Sequence, residues 1–146
     1  PEVRLKAFLE RRGAEGGSWR RICGLPALWV WLYYDQTSLD AAWGLVKDWS
    51  AEERQAMRDV VPRLAFKTPF RGRTVGDLAR EMLEISAAGL RRRASQDSGG
   101  TNEEGFLHPL MELVDRRQTR ADQLLERFHG EWKGDLAALF TEYNFL

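Results

Sequence analysis

The segment 19–34 constrains the fold more than any other part of the sequence. It reads WRRICGLPALWVWLYY and is nearly all apolar after its two arginines. A helix that is apolar on every side has to be buried over most of its surface, and Pro26 predicts a bend because proline cannot donate a helical hydrogen bond. The segment is too short to span a bilayer. It therefore predicts a helix buried inside a packed domain.

The composition favours one packed domain without a dominant charge. The 146 residues are 43% hydrophobic and 11% aromatic, which is enough to build a core. Lysine and arginine together number 22, as do aspartate and glutamate, so no net field attracts nucleic acid or an anionic membrane. We therefore expect small-molecule or protein partners. The single cysteine and the lack of an apolar leader make the cytosol the default compartment.

Residues 2–12 alternate in the manner of a β-strand. Apolar residues at positions 3, 5, 7 and 9 alternate with mostly charged ones, which is the period of two that strands show. The residue types are also good helix formers, so a helix remains an alternative. The run GAEGGS at 13–18 predicts a loop after the strand.

The rest of the sequence is typical of helices. Helix starts are predicted where Ser or Thr precedes an acid by three residues, at Thr37 to Asp40, Ser50 to Glu53, Thr74 to Asp77 and Thr119 to Asp122. The helix after Thr74 is expected to turn inward a stripe of Val75, Leu78, Ala79, Met82, Ile85 and Ser86. The polar run 95–105 predicts a mobile loop, helical spacing resumes in FLHPLMELV, ADQLLERF and DLAALF, and the tail 143–146 is expected to dock on the body. The predicted fold class is α+β and mainly α-helical.

Four blocks of the sequence together resemble the proteobacterial and plant type of glutamate-cysteine ligase. They are PEVRLKAFLERRGAEGGSWRRICGLPALWVWLYYDQ, VKDWSAEERQAMRDVVPRL, GLRRR and FLHPLMELVDRRQTRADQLLERFHGEWKGDLAALFTEY. The first is the most specific, because a charged strand ending in E-x-R-G-A-acid-G-G, followed by tryptophan and two arginines, rarely arises from helix or core packing alone. The likeness spans essentially the whole chain.

The resemblance implies a portion of a larger fold. Members of the family are much longer and have a glutamine-synthetase-like catalytic fold, in which antiparallel strands form a funnel backed by helices. This chain would then be the C-terminal portion of one catalytic domain, with one funnel strand at about 2–12 and the helical backing, and with the N-terminal part missing. The opening at Pro1 rather than methionine agrees with this. Such a portion is expected to be inactive alone.

The resemblance also implies the reaction. In this family ATP phosphorylates the side-chain carboxylate of glutamate, and the cysteine amine then displaces phosphate. The product is γ-glutamylcysteine, the first intermediate of glutathione biosynthesis, and the reaction needs Mg²⁺, cationic side chains and positioned substrates. The expected partners are therefore glutamate, cysteine, ATP and the missing part of the enzyme, with no nucleic acid and no membrane.

Glu10 and Arg12 are the main candidates for this chemistry. They lie two residues apart, so on a strand they share one face at a separation of about 7 Å. A carboxylate there can hold Mg²⁺ while the guanidinium reaches the phosphate that the metal binds. The resemblance to the family's E-x-R strand assigns Glu10 as a metal ligand and Arg12 as the catalytic phosphate contact. Outside the surrounding block, a surface ion pair would be the simpler interpretation.

Four further residues are predicted to bind substrate. Arg4 and Lys6 fall on the face of Glu10, where they would line the ATP and phosphate pocket. Trp19 matches a family tryptophan, which implies a wall and an indole donor for the amino-acid substrate, although a core tryptophan that caps the next helix is an equal alternative. Arg20 and Arg21 come at the predicted N-terminus of the next helix, where a cation needs an anionic partner. A substrate carboxylate or a buried acid would explain one of them, and Arg20 is predicted to bind substrate.

The remaining reactive or charged residues have plainer interpretations. Cys23 aligns with a cysteine that plant relatives use in a regulatory disulfide, but a single cysteine cannot form that bond within the chain and is interpreted as a small buried hydrophobe. His108 and His129 lack a metal-binding spacing. The basic run 91–93 is interpreted as the solvated C-terminal end of a helix rather than a nucleic-acid site.

A different class of function remains open. A non-catalytic helical module that binds a protein through the apolar segment 19–34 would explain the same aromatic residues. These residues also do not distinguish a ligase of glutathione biosynthesis from one that makes the same dipeptide for another thiol.

Overall fold

The computed structural model describes residues 2–5, 9–12, 19–96 and 98–142, and for 2–5, 9–12, 19 and 20 it describes the backbone only. The strands are β1 (Glu2–Leu5), β2 (Leu9–Arg12), β3 (Pro69–Phe70) and β4 (Arg73–Thr74). The α-helices are α1 (Trp19–Ile22), α2 (Gly24–Tyr34), α3 (Gln36–Val46), α4 (Ala51–Leu64), α5 (Val75–Arg93), α6 (His108–Asp115), α7 (Arg120–His129) and α8 (Ala137–Glu142). Two 3₁₀ helices span Ala65–Lys67 and Glu103–Leu107. The mainly helical α+β class is thereby confirmed.

The N-terminal segment forms two strands where the alternation predicted one. β1 and β2 pair antiparallel, with Arg4 opposite Glu10 and Leu5 opposite Leu9. The sequence between them, Lys6 to Phe8, contains none of the glycine, proline, asparagine or aspartate that usually separates two paired strands, so the pattern gave no reason to divide the segment. The strand interpretation is confirmed over the helical one, but the strand count was wrong.

The apolar segment is helical, as predicted, and is divided at Cys23. In one continuous helix the ring of Pro26 would collide with the carbonyl of Ile22, four residues earlier. In α2, Pro26 instead occupies the first turn, where a helix needs no backbone donor. α1 and α2 therefore meet at Cys23, which is half-buried.

Three of the four predicted helix starts are confirmed as capping boxes. The paired residues are Ser50 with Glu53, Thr74 with Asp77, and Thr119 with Asp122. The fourth prediction, Thr37 to Asp40, was wrong, because α3 begins at Gln36 and its N-cap is Asp35. The Asp35 carboxylate accepts from the Ser38 backbone N–H at 2.7 Å. Aspartate is itself one of the strongest N-cap residues, so the signal was present at Asp35.

Helices α2, α3 and α6 and both 3₁₀ helices pack against α5. The buried core cluster consists of Ala27, Leu83, Ala87, Leu90, Leu107 and Val114. Of the predicted α5 stripe, Ser86 is fully buried, whereas the rest are half-buried: Val75, Leu78, Ala79, Met82 and Ile85. The core face of α5 is therefore shifted by about one residue around the helix from the predicted stripe.

Gly89 lets α5 approach α2 and α3 closely. A Cβ at this position would lie 2.7 Å from Trp31 Cβ and 2.7 Å from Ser38 Oγ. The contact is also polar, because Ser38 Oγ donates to the Ile85 carbonyl at 3.2 Å and Ser86 Oγ donates to the Ala27 carbonyl at 3.4 Å. A small residue and two bonded hydroxyls together set the spacing of the three helices.

The predicted loop at 95–105 is confirmed as non-helical at 95, 96 and 98–102, while its mobility stays a prediction. Gln96 and Asn102 form an isolated bridge, and Asn102 caps the second 3₁₀ helix, so residues 103–105 are helical. The three later helical predictions correspond to that 3₁₀ helix with α6, to α7 and to α8. The predicted loop 13–18 and the tail 143–146 lie outside the described residues. Among the described helices, none has the length and apolarity needed to cross a membrane.

Candidate functional site

The predicted catalytic positions come together on the β1–β2 ladder. Glu10 and Arg12 lie two residues apart in β2, and Arg4 is the direct partner of Glu10 across the ladder. Positions directly opposite each other in an antiparallel pair belong to the same face, so positions 4, 10 and 12 share one face despite the division into two strands. Lys6 lies outside the described residues. The ladder thus keeps the grouping that the single strand predicted, while the assigned roles stay predictions.

The predicted substrate-binding positions 19 and 20 open α1, which contacts α2 and α6. Just beyond α1, the buried Gly24 begins α2. A Cβ at Gly24 would lie 3.0 Å from the Phe106 carbonyl oxygen and 3.3 Å from the Leu110 side chain. This close packing fixes the start of α2 against the second 3₁₀ helix and α6, next to the end of α1. It therefore holds the backbone of positions 19 and 20 against the helical body.

The residues predicted to be chemically inert lie apart from the ladder in the sequence and differ in exposure. Cys23 is half-buried at the α1–α2 junction rather than fully buried. His108 begins α6 and is exposed, and His129 ends α7 with its ring 5.1 Å from that of Phe128. Within the described residues, no group of three or more His, Cys, Asp or Glu side chains is arranged to hold a metal ion.

The three arginines 91–93 end α5, which confirms the prediction that they form a helix C-terminus. Each of them also forms an ion pair, which the sequence did not predict. The partners are Glu104 for Arg91, Asp35 for Arg92 and Glu103 for Arg93. These pairs join the end of α5 to the second 3₁₀ helix and to the α2–α3 junction. The run is therefore a structural element of the helical body.

Arg92 makes the most complete of these contacts. Its Nε and Nη2 atoms donate to both carboxylate oxygens of Asp35 at 2.9 and 2.7 Å, and Nη2 also donates to Ser38 Oγ at 2.6 Å. The guanidinium of Arg92 and the Ser38 backbone N–H hold the pKa of Asp35 well below its usual range. The α3 N-cap is thus tied to the last turn of α5.

Two capping boxes are bound by arginines in the same way. Arg71 Nε and Nη2 donate to the two carboxylate oxygens of Glu53 at 2.7 and 2.6 Å, which lowers the pKa of that carboxyl. Arg117 pairs with Asp77 and donates to Thr74 Oγ1 at 2.6 Å. The hydroxyl of Thr74 and then the Arg117 guanidinium lower the pKa of Asp77. Both arginines therefore stabilise a helix start by connecting it to a distant part of the chain.

A cleft of about 670 Å³ lies between the first 3₁₀ helix, the α6–α7 turn and one side of α7. Its described lining includes Lys67, Arg116, Arg117, Gln118, Asp122, Leu125, Glu126 and His129. Arg117 is bound to Asp77, and Asp122 is the acid of the α7 capping box. Because the lining mixes both signs of charge, it does not define a site for one class of ligand.

Comparison with known proteins identifies the family. The model of glutamate-cysteine ligase family 2 matches residues 1–142. The chloroplastic glutamate-cysteine ligase of Nicotiana tabacum is 44% identical over 142 residues, which cover 97% of this chain and 26% of that protein. The chloroplastic glutamate-cysteine ligases of Arabidopsis thaliana and Medicago truncatula are 45% and 44% identical over the same share of this chain, and 26% and 27% of their own lengths are covered. The chain belongs to glutamate-cysteine ligase family 2, and it spans about a quarter of the length of these relatives.

The comparisons also correct the compartment. The prediction of a cytosolic protein was wrong, because the relatives that this chain matches are chloroplastic glutamate-cysteine ligases. The prediction used the lack of a leader within these 146 residues, and a segment that covers 26% of its relatives carries no information about their leaders.

Proposed function

We propose that this chain is the C-terminal portion of an ATP-dependent glutamate-cysteine ligase. The enzyme would join the γ-carboxyl of glutamate to the amine of cysteine through a γ-glutamyl phosphate, giving γ-glutamylcysteine for glutathione biosynthesis. The observation that carries the proposal is the match to the ligase family over residues 1–142, with 44–45% identity to plant ligases. The chain alone is proposed to be inactive, since it spans about a quarter of those enzymes.

In this proposal the β1–β2 ladder supplies one wall of the nucleotide site. Glu10 would bind Mg²⁺ and Arg12 the transferred phosphoryl group, with Arg4 and Lys6 lining the same pocket. The backbone placement fits a magnesium ion, because Mg²⁺ is usually held by one or two carboxylates together with phosphate oxygens. When bound, Mg²⁺ would neutralise charge on those oxygens, while Arg12 would donate to the charge that builds up during transfer.

Positions 19 and 20 are proposed to serve the amino-acid substrate. They follow the ladder in the sequence and open α1, which contacts α6 and α2. The Trp19 indole would form a wall and donate a hydrogen bond, and Arg20 would bind a substrate carboxylate. Positioning both substrates in this manner is what such a two-step transfer requires.

The test is a chimeric enzyme in which residues 1–142 of this chain replace the matching segment of the tobacco relative. Phosphate release is measured with glutamate, cysteine, ATP and Mg²⁺, and again with each omitted. Arg12→Ala is expected to lower kcat by about 10²-fold or more, since it removes a transition-state contact. Glu10→Gln is expected to raise the Mg²⁺ concentration needed for half-maximal rate.

Arg11→Ala is the matched control, because Arg11 lies opposite Val3 on the other face of the ladder. It should leave the rate within about twofold, because position 11 is not on the face of the ladder that carries the proposed site. Undiminished turnover in both the Glu10 and the Arg12 variants would contradict the site assignment. A chimera that releases no phosphate, although it is folded, would contradict the proposed function itself.

A further inference from the structure

The helix α2 is more apolar than its packing in the described residues explains. From Ile22 to Tyr34 the chain has no charged residue, and a helix that is apolar all round is normally buried on all sides. α2 buries Gly24, Ala27 and Trp31. Other large side chains of the same stretch are exposed, among them Ile22, Leu25, Tyr33 and Tyr34.

The exposed side of α2 continues into a groove that α3 completes. This apolar groove has a volume of about 420 Å³, and its described lining includes Leu28, Leu32, Leu39, Trp43, Val46 and Met82. Trp43 is 62% exposed, and Leu39 is partly exposed beside it. The described lining carries no charged side chain. An exposed apolar surface of this kind marks an interaction site.

The composition of the groove favours a permanent partner. Transient interfaces are about as polar as an ordinary protein surface, whereas obligate ones resemble a domain core cut in half. The family match specifies that partner, because about three quarters of each plant relative lies outside the segment that it shares with this chain. The β1–β2 ladder, which precedes α2, also needs support, since two strands alone are marginally stable.

We propose that the apolar groove between α2 and α3 is the surface on which the remaining polypeptide of a full-length glutamate-cysteine ligase packs. This inference rests on the proposed function, because it takes the partner from the ligase family. It adds the place of contact, the α2–α3 face, and identifies Leu39 and Trp43 as its most accessible contacts. Burying them would remove apolar surface from water without leaving a buried charge unpaired.

The test compares the groove in two proteins by hydroxyl-radical footprinting with mass spectrometry. One is the 146-residue chain, and the other is the chimera that carries residues 1–142 in the tobacco enzyme. Oxidation of Trp43 and Leu39 should fall at least about fivefold in the chimera, as burial in an interface core requires. Phe140 in α8, which is 75% exposed, is the reference and should change less than twofold.

Equal oxidation of Trp43 in the two proteins would overturn the proposal, and so would a parallel fall at Phe140. Light scattering on the chain alone tests a second copy of the chain as the partner. A dimer in which Trp43 is already protected would overturn the proposal, because a second copy would then fill the groove. The footprint does not depend on turnover. A protected groove in an inactive chimera would therefore contradict the proposed function alone, whereas an exposed groove in an active chimera would contradict only the docking surface.

A second measurement needs no chimera. The folded 146-residue chain should bind an apolar dye such as ANS through the groove, and Trp43→Glu should lower the dye fluorescence at least about twofold because it places a charge in the binding surface. Phe140→Glu is the matched control and should leave the fluorescence unchanged. A folded chain that binds no dye, or equal losses in the two variants, would overturn the proposal.

Discussion

Replacing Gly89 by alanine tests how closely α5 packs against α2 and α3. The added methyl group would lie 2.7 Å from Trp31 Cβ, 2.7 Å from Ser38 Oγ and 3.3 Å from Ser38 Cβ. Neither neighbour can easily move away. Trp31 and Ser38 are each only 1% exposed, and Ser38 Oγ is bonded to the Ile85 carbonyl and to Arg92.

Two opposing effects set the magnitude. Alanine is favoured over glycine in a helix interior by about 1 kcal/mol, whereas overpacking a rigid core costs about 1–3 kcal/mol. Because one clash is with a Cβ and the other with a bonded hydroxyl, we take the upper end of the cost. Gly89→Ala should therefore lower the free energy of unfolding by about 2 kcal/mol.

Gly44 provides the matched control. It lies within α3, and a Cβ there would meet no atom within 4 Å. Only the helix preference then acts, so Gly44→Ala should raise the free energy of unfolding by up to about 1 kcal/mol. Both values can be measured by urea unfolding of the 146-residue chain, monitored by far-UV circular dichroism. The comparison holds if the free energy of unfolding depends on urea concentration with the same slope in each variant. A Gly89→Ala chain at least as stable as the wild type would refute the close packing of the three helices.

Two further predictions concern stability. The folded-state pKa values of Asp35, Asp77 and Glu53 are lowered, so the stability that they contribute is present above the unfolded-state values near pH 4 and is lost as the pH falls below them. The urea midpoint of the wild type should therefore fall from pH 7 to pH 2, and the midpoint of Asp35→Asn should fall less steeply. An equal pH dependence in the two proteins would contradict the Arg92 contact. Leu90→Ala should lower the free energy of unfolding by about 2–5 kcal/mol, because Leu90 is fully buried in the core cluster. A loss below about 1 kcal/mol in the same urea assay would show that the core is not packed around Leu90.

Local signals in the sequence predicted most of the helix starts. The capping boxes at Ser50, Thr74 and Thr119 were found because donor and acceptor lie within three residues of each other. The predicted start of α3 was wrong because it required a hydroxyl at the N-cap, whereas the Asp35 carboxylate is the cap. The shifted core face of α5 has a different cause. Leu83, Ala87 and Leu90 face the core because α2 and α6 pack there, and helical spacing alone does not identify the neighbours of a helix.

The arginine contacts could not have been predicted from spacing. Arg71 reaches Glu53 across 18 residues, Arg117 reaches Asp77 across 40, and Arg92 reaches Asp35 across 57. Each arginine shares its sequence neighbourhood with other charged residues, so only the packing of the helices selects its partner. For the same reason the sequence did not predict the ion pairs of arginines 91–93, which are solvent-exposed as expected.

The candidate site depends even more on distant parts of the chain. Alternation alone places positions 4, 10 and 12 on one face, and the β1–β2 register keeps that grouping although the strand count was wrong. The chemical roles came from the motif, because an E-x-R pair on a two-stranded ladder has no chemistry of its own. Two strands are marginally stable, and the apolar groove between α2 and α3 remains uncovered within the described residues. If the remaining polypeptide supplies both the missing strands and the cover, Glu10 and Arg12 acquire their geometry only when the groove is filled, so protection of Trp43 and ATP-dependent turnover should appear together in the chimera.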